Sequence, residues 1–170
     1  KANTPRGLYR PDFEHDACGI GAIASIKGIK SHKVVVDALD ILVNLEHRGG
    51  VGAERNTGDG AGMLLQLPHR FFVIEAQKYG VILPDPGEYA AGMLFLSADP
   101  DLAGYGKTFF ERIARQEGFE FLFWREVPHD PSELGRTAFE CKPSIWQPFV
   151  SHTQKGLTTL EFERRLYVLR

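Results

Sequence analysis

Only two cysteines, Cys18 and Cys141, occur among the 170 residues. Two are too few for a disulfide framework, and nothing else in the sequence marks an oxidising compartment, so a reduced, cytoplasmic setting is expected. Net charge is also nearly absent: 20 basic against 22 acidic side chains leave -2, no field to draw in a phosphate backbone or an anionic membrane. No apolar run reaches the roughly 20 residues of a spanning helix, because Lys, Glu, Asp or Pro interrupts every hydrophobic stretch. The N-terminus lacks the apolar middle of a secretory signal, and no internal repeat is present. The expectations are no nucleic-acid partner and no membrane. What remains is a chain with 43% hydrophobic and 25% charged residues, suited to one globular core.

Residues 1–17 are polar, contain Pro5 and Pro11, and follow no period of 2 or 3.6, which reads as an irregular leader. From Cys18 the run CGIGAIASI is small and apolar without helical spacing and ends at Lys27-Gly28, the pattern of a buried strand. Ser31 can cap a helix with Val35, Ala38, Leu39, Leu42 and Leu45 on one face, ending at His47-Arg48-Gly49-Gly50 and lying on a sheet. The glycine-rich run VGAERNTGDGAG then feeds MLLQLP, a short strand closed by Pro68. Further on, 69–79 reads as helix and 89–97 as strand. A helix over about 105–117 is expected to pack Tyr105, Phe109 and Ile113, and FEFLFWREV is expected to alternate Phe119, Phe121 and Phe123 against Leu122 and Trp124. The segments 144–150 and 163–170 favour strands. The fold class is α+β.

Cys18 is followed by Gly19 and Gly21, leaving the backbone beside the thiol uncrowded. A thiol nucleophile needs a base, either a histidine or, at a chain start, its own α-amine. That amine titrates at about 7.7–8.0, so part of it is free to take the thiol proton at neutral pH. Using it requires cleavage of the Ala17-Cys18 bond. A lone cysteine is more often a small buried hydrophobe, so residue type alone does not make Cys18 catalytic. The other motifs have plain readings too. Gly58, Gly60 and Gly62 mimic a dinucleotide fingerprint but lead toward a strand and lack a P-loop Lys-Ser/Thr, so Asp59 shapes a loop. Arg48 and His47 at a helix end suit its carbonyls. His15, Asp16 and Cys18 have no second ligand cluster to make a metal site, and Cys141 is an ordinary thiol.

Three motifs in order carry a resemblance: Glu14-His15-Asp16-Ala17 before Cys18-Gly19-Ile20-Gly21, then His47-Arg48-Gly49, then Asn56-Thr57-Gly58-Asp59-Gly60-Ala61-Gly62. Together they resemble the start of the glutamate synthase large-subunit family, whose first domain is a class II glutamine amidotransferase. The resemblance is strongest over residues 7–72 and continues colinearly to residue 170. It implies an Ntn-hydrolase-like αββα sandwich of antiparallel sheets covered by helices, with 1–17 as leader and 18–170 as the first part of the domain. It also implies that Cys18 is the catalytic nucleophile exposed by cleavage after Ala17. Arg48 would bind glutamine, and Gly19, His47, Gly49 and Asp59 would shape the pocket.

The partners so implied are L-glutamine, a downstream synthase domain and a small reductase subunit. No cofactor is expected in this chain, FMN and an iron-sulfur cluster belonging elsewhere in the full enzyme. The family's Asn-Gly oxyanion pair lies downstream of the matched stretch. Here Asn3, Asn44 and Asn56 are the only asparagines, and none precedes glycine. The 170-residue piece with its leader is therefore expected to be inactive alone. Two other readings stand beside this one: a non-catalytic glutamine-sensing or assembly module of the same fold, and an Ntn hydrolase acting on a different amide.

Overall fold

In the computed structural model, residues 19–50, 54, 56–58, 60–152 and 156–170 are described, the Arg48 side chain excepted. The chain divides into two units, one ending at Leu65 and one beginning at Gln66.

The first unit is built on helix α1 (His32–Asn44). Ser31 caps it as its sequence position suggests: its backbone is extended, and its hydroxyl accepts from the Lys33 N–H at 3.2 Å. Lys33 and Asp37 add an exposed i,i+4 ion pair, worth a few tenths of a kcal/mol. Of the expected stripe, Val35, Ala38, Leu42 and Leu45 are half-buried and Leu39 is exposed, while Val34 and Ile41 widen the covered face.

Against this face runs the segment after Cys18, with Gly19 at Leu45 and Gly21 at Ile41. A step of two residues along extended chain covers about 6.6 Å and one of four along a helix about 6 Å, so the two sets of contacts stay in phase. The expected strands over 18–26 and 63–67 form no ladder among the described residues. Apolar runs bounded by turns specify a strand-like stretch but not an edge to pair with. The turn after the first run is as expected: the Gly28 N–H donates to the Ser25 carbonyl at 2.9 Å, with φ +65 at Gly28.

The second unit holds α2 (His69–Lys78), β1 (Tyr89–Ala91), β2 (Leu94–Leu96), α3 (Pro100–Gln116), β3 (Phe119–Glu126), α4 (Arg136–Cys141), β4 (Ser144–His152) and α5 (Thr159–Leu169). Its sheet is antiparallel throughout, with β4 at the centre, β3 along one edge and β1 and β2 along the other. Tyr89 pairs with Ser151 and Leu94 with Trp146 in one common register, so β1 and β2 are the single expected strand, interrupted. The interruption faces Pro148, which has no N–H to give the ladder. Gly92 still donates its own N–H to the Pro148 carbonyl at 3.0 Å, and a Cβ on Gly92 would come within 3.2 Å of the proline ring.

Neighbouring residues of β4 face opposite ways. Phe149 joins Phe72, Ala76, Tyr89 and Phe123 beneath α2; Val150 joins Ala114, Phe119 and Phe162 beneath α3 and α5. Strand β3 serves both layers because its register shifts between Phe121 and Phe123. Phe119 and Phe121 lie on the α3 side, Leu122 and Phe123 on the α2 side, and Trp124 returns to α3, where its Nε1 donates to Glu111 at 2.9 Å. Phe123 therefore does not share a face with Phe119 and Phe121, as simple alternation requires. A bulged residue resets the alternation.

Two expectations about helices are also corrected. On α3 the buried residues are Ala103 and Ala114, with Phe110 packed beside Ala114, while Tyr105 and Phe109 are exposed; small alanines let the helix approach the sheet. Residues 163–169 belong to α5, with Arg170 as its C-cap, not to a strand. Thr158 and Glu161 form a reciprocal capping box, a Thr-x-x-Glu signal visible in the sequence, and Phe162, Leu166 and Leu169 follow at helical spacing onto the core. The fold is thus α+β around an antiparallel sheet.

Arg125 is the charged residue of this core, 8% exposed. Its Nε donates to Glu75 Oε2 at 2.8 Å and its Nη1 to Gln147 Oε1 at 2.9 Å. Its guanidinium also lies 5.1 Å from the centre of the Phe71 ring. Hydrogen bonds from Lys78 and then Arg125 hold the Glu75 carboxyl below the usual range.

Candidate functional site

The first unit brings the expected motifs together through its backbone. Gly19, bonded directly to Cys18, lies on Leu45. Leu45 caps the end of α1, with its N–H on the Ile41, Leu42 and Val43 carbonyls, and leads straight into a single 3-10 turn, Glu46–Arg48. That turn carries His47, expected to shape the pocket, and Arg48, expected to bind glutamine, and Gly49 ends it by donating to the Glu46 carbonyl at 2.9 Å.

The glycine-rich loop meets the same place. A Cβ on Gly58 would stand 2.9 Å from the Gly50 carbonyl oxygen, an approach closer than side-chain-bearing residues allow. The loop before it is held by Thr57, whose N–H and hydroxyl donate to the Glu54 carbonyl and carboxylate at 3.1 and 3.0 Å. Residues 19–21, 45–50 and 56–58 therefore form one neighbourhood, although they are distant in sequence.

Within it, His47 places Nδ1 2.9 Å from the Asn44 carbonyl oxygen. A carbonyl only accepts, so Nδ1 carries the proton and the ring caps the end of α1. Proton acceptance is left to Nε2. Gly49 is extended, with φ -80 and ψ 148, a conformation open to any residue; a Cβ there would come 3.3 Å from the Glu46 carbonyl. Ala17, Cys18, Asp59 and the side chain of Arg48 lie outside the described residues. Sequence reasoning put Leu45 on the covered face of α1 but missed Ile41, and missed that the segment after Cys18 is seated on both. The signal for them was a pair of glycines two apart beside a helix with apolar residues four apart.

Elsewhere, a groove of about 320 Å³ is lined by Gly156, Leu157, Glu161, Arg164 and Arg165. It shares no residue with the motifs. Among the described residues no three His, Cys, Asp or Glu side chains gather as a metal site, and no described helix is long and apolar enough to cross a membrane.

Comparison with known proteins agrees with the motif neighbourhood. The family profile of class-II glutamine amidotransferases matches residues 18–170. The chain is 41% identical over 165 residues to the glutamate synthase [NADPH] large chain of Bacillus subtilis, covering 97% of this chain and 11% of that protein. It is 42% identical over 170 residues to glutamate synthase [NADH] of Schizosaccharomyces pombe, covering 97% of this chain and 8% of that one. Ferredoxin-dependent glutamate synthase 1 of Arabidopsis thaliana is 40% identical over 157 residues, 92% of this chain and 10% of that protein. The chain thus spans about a tenth of the length of these relatives. With a profile match over nine-tenths of its length and a motif neighbourhood assembled around the residues after Cys18, the chain belongs to the class-II glutamine amidotransferases.

Proposed function

We propose that this chain supplies the glutaminase of a glutamate synthase, with Cys18 as nucleophile once the bond after Ala17 is cut. The observation that carries the reading is the family match, whose first residue is Cys18, and the names of the similar proteins support it. Once freed, the α-amine of Cys18 takes the thiol proton, and the sulfur attacks the side-chain carbonyl carbon of L-glutamine. The C–N bond breaks, the proton returns to the leaving nitrogen, and ammonia departs. Water then cleaves the γ-glutamyl thioester to glutamate and the free thiol. Arg48 holds the substrate, and Gly19, His47, Gly49 and Asp59 shape its pocket. The leader blocks this chemistry, since an amide nitrogen in place of the amine accepts no proton. Leader removal is self-catalysed, the thiol attacking the Ala17 carbonyl and water resolving the resulting thioester.

Ammonia passes to 2-oxoglutarate in a separate synthase domain, in a reducing compartment where Cys18 and Cys141 remain thiols; a small reductase subunit is a further partner. The described sheet is one of the two antiparallel sheets of an Ntn-hydrolase sandwich. The two cysteines of this chain do not fit an iron-sulfur cluster, which takes about four cysteine thiolates. The glycine loop is followed by irregular chain up to α2 at residue 69 rather than opening a helix, which does not fit a phosphate cradle for FMN. No step of glutamine hydrolysis is routed through either group. The 170 residues contain no Asn-Gly pair. Loss of one oxyanion donor costs about a hundredfold to a thousandfold, so the piece alone is a poor glutaminase.

The test is mass spectrometry of the full-length protein with and without 6-diazo-5-oxo-norleucine. A mature chain beginning at Cys18 and alkylated there is expected. A stable leader and an unlabelled Cys18 in soluble, folded protein would overturn the reading in favour of a non-catalytic module. A Cys18→Ala protein that still loses its leader would sink self-cleavage alone.

A further inference from the structure

Gly19 and Gly21 follow Cys18 at spacings of one and three, and neither is among the described glycines with positive φ, which are Gly28, Gly80, Gly87, Gly118 and Gly156. Their backbone shapes are open to any residue, so what demands glycine here is space. A Cβ on Gly19 would meet Leu45 Cδ2 at 2.9 Å, the end of a flexible side chain. A Cβ on Gly21 would meet Ile41 Cγ2 at 2.3 Å and Cδ1 at 3.4 Å. Isoleucine in a helix is held in essentially one χ1 rotamer, so that methyl has nowhere to swing. Of the two contacts, Gly21 on Ile41 is the stiff one.

Resting on the glutaminase reading above, we infer that Ile41 is a positioning residue for Cys18. Its Cγ2 methyl sets the depth at which the segment seats on α1, and the seat sets where the thiol three residues upstream stands. Carbon atoms in contact stand about 3.5–4.0 Å apart, so an alanine at 21 lifts the segment by about 1 Å or more. That displacement is carried toward the sulfur by chain that Gly19 keeps in phase with Leu45. A misplacement of about 1 Å in a reacting group can cost on the order of a hundredfold. Substrate binding through Arg48, on a separate turn, is little affected.

The experiment uses the full-length protein as wild type, Gly21→Ala, Ile41→Ala and the double variant, with Val36→Ala on the exposed side of α1 as control. Glutaminase kcat and KM and the rate of leader removal are measured for each, alongside a thermal melt. Gly21→Ala is expected to lower kcat about a hundredfold, to leave KM within about twofold, and to slow leader removal. The double variant, in which alanine at 41 removes the offending methyl and preserves helix propensity, is expected to recover most of the kcat.

A Gly21→Ala enzyme within about threefold of wild type in kcat would overturn the inference, as would a double variant no better than the single one. If Gly21→Ala fails to fold, recovery of fold and kcat in the double variant supports the contact, and failure of both overturns it. A wild-type protein without glutaminase activity is a separate outcome, seen before any substitution. It refutes the functional reading and removes the basis of this one.

Discussion

Removing the Glu75 carboxylate strands the guanidinium of Arg125 in the core. The Arg125 and Glu75 side chains are 9% and 13% exposed, and their ion pair is 2.8 Å long. Breaking such a pair from one side costs about 3–5 kcal/mol, because the remaining charge stays buried. Arg125 keeps the Gln147 oxygen and the Phe71 ring, which places Glu75→Ala at the lower end, about 3 kcal/mol. For a chain of this length that is roughly a 6–12 °C fall in Tm.

Arg125→Met is expected to cost less than Glu75→Ala, since Glu75 retains Lys78, whose ammonium is largely in water. Urea unfolding followed by tryptophan fluorescence is a direct assay, because Trp124 adjoins Arg125 on β3 and Trp146 lies on β4, and these are the only two tryptophans. The pH dependence has a defined sign. The folded carboxyl of Glu75 is lowered, so its contribution is fully present above the unfolded value of about 4.3 and is lost as pH falls through the lowered folded value. Glu75→Gln should flatten that part of the stability profile. A Glu75→Ala protein within about 0.5 kcal/mol of wild type, or an Arg125→Met protein clearly less stable than it, would refute the reasoning.

Three further outcomes are expected. Deleting Leu122 removes the extra residue of β3, so Phe121 and Phe123 become neighbours on opposite faces, still opposite Val150 and Phe149, and only the Leu122 contact beneath α2 is lost. A cooperative urea transition with stability lowered by about 1–2 kcal/mol is expected, and loss of cooperative unfolding would count against the bulge. Thr158→Ala removes the hydroxyl half of the α5 capping box and should cost about 1 kcal/mol, read as a shift in urea midpoint at constant slope. Gly58→Ala forces the loop away from the Gly50 carbonyl, and in the full-length enzyme it should weaken glutaminase kcat/KM by about tenfold or more; unchanged kinetics would show that the close approach is dispensable.

Helices with caps and a long apolar period were readable in the residues. Ser31 begins α1 and α2 falls where periodicity places it, whereas α3 begins at Pro100 under the Asp99 cap, ahead of the expected start at 105. Orientation was less readable. Apolar side-chain area ranks Tyr105 and Phe109 above Ala103 and Ala114, yet the alanines are the buried residues of α3, and Ala114 packs on the sheet residues Phe119 and Val150. The bulge at Leu122 was invisible for a related reason: an unbroken alternation of phenylalanines gives no sign of a slip that only pairing with β4 defines. Thr158 and Glu161 announce a helix start that outweighs the strand-like residues after it. For the site, three motifs pointed to Cys18, Arg48 and the glycine loop. Nothing local in CGIG could reveal that its bare faces are used by a helix twenty residues on. Such contacts are fixed by tertiary packing and not by neighbours in sequence.

The slip in β3 has a mechanical meaning as well. Residues before Leu122 are anchored among α3 and α5, and those at and just after it beneath α2. One continuous strand thus threads both helical layers and acts as a shear pin between them. A sideways slide of α2 would have to twist β3 about Leu122 and drag Phe119 across Phe162, so a strain applied to one layer of this unit is felt in the other.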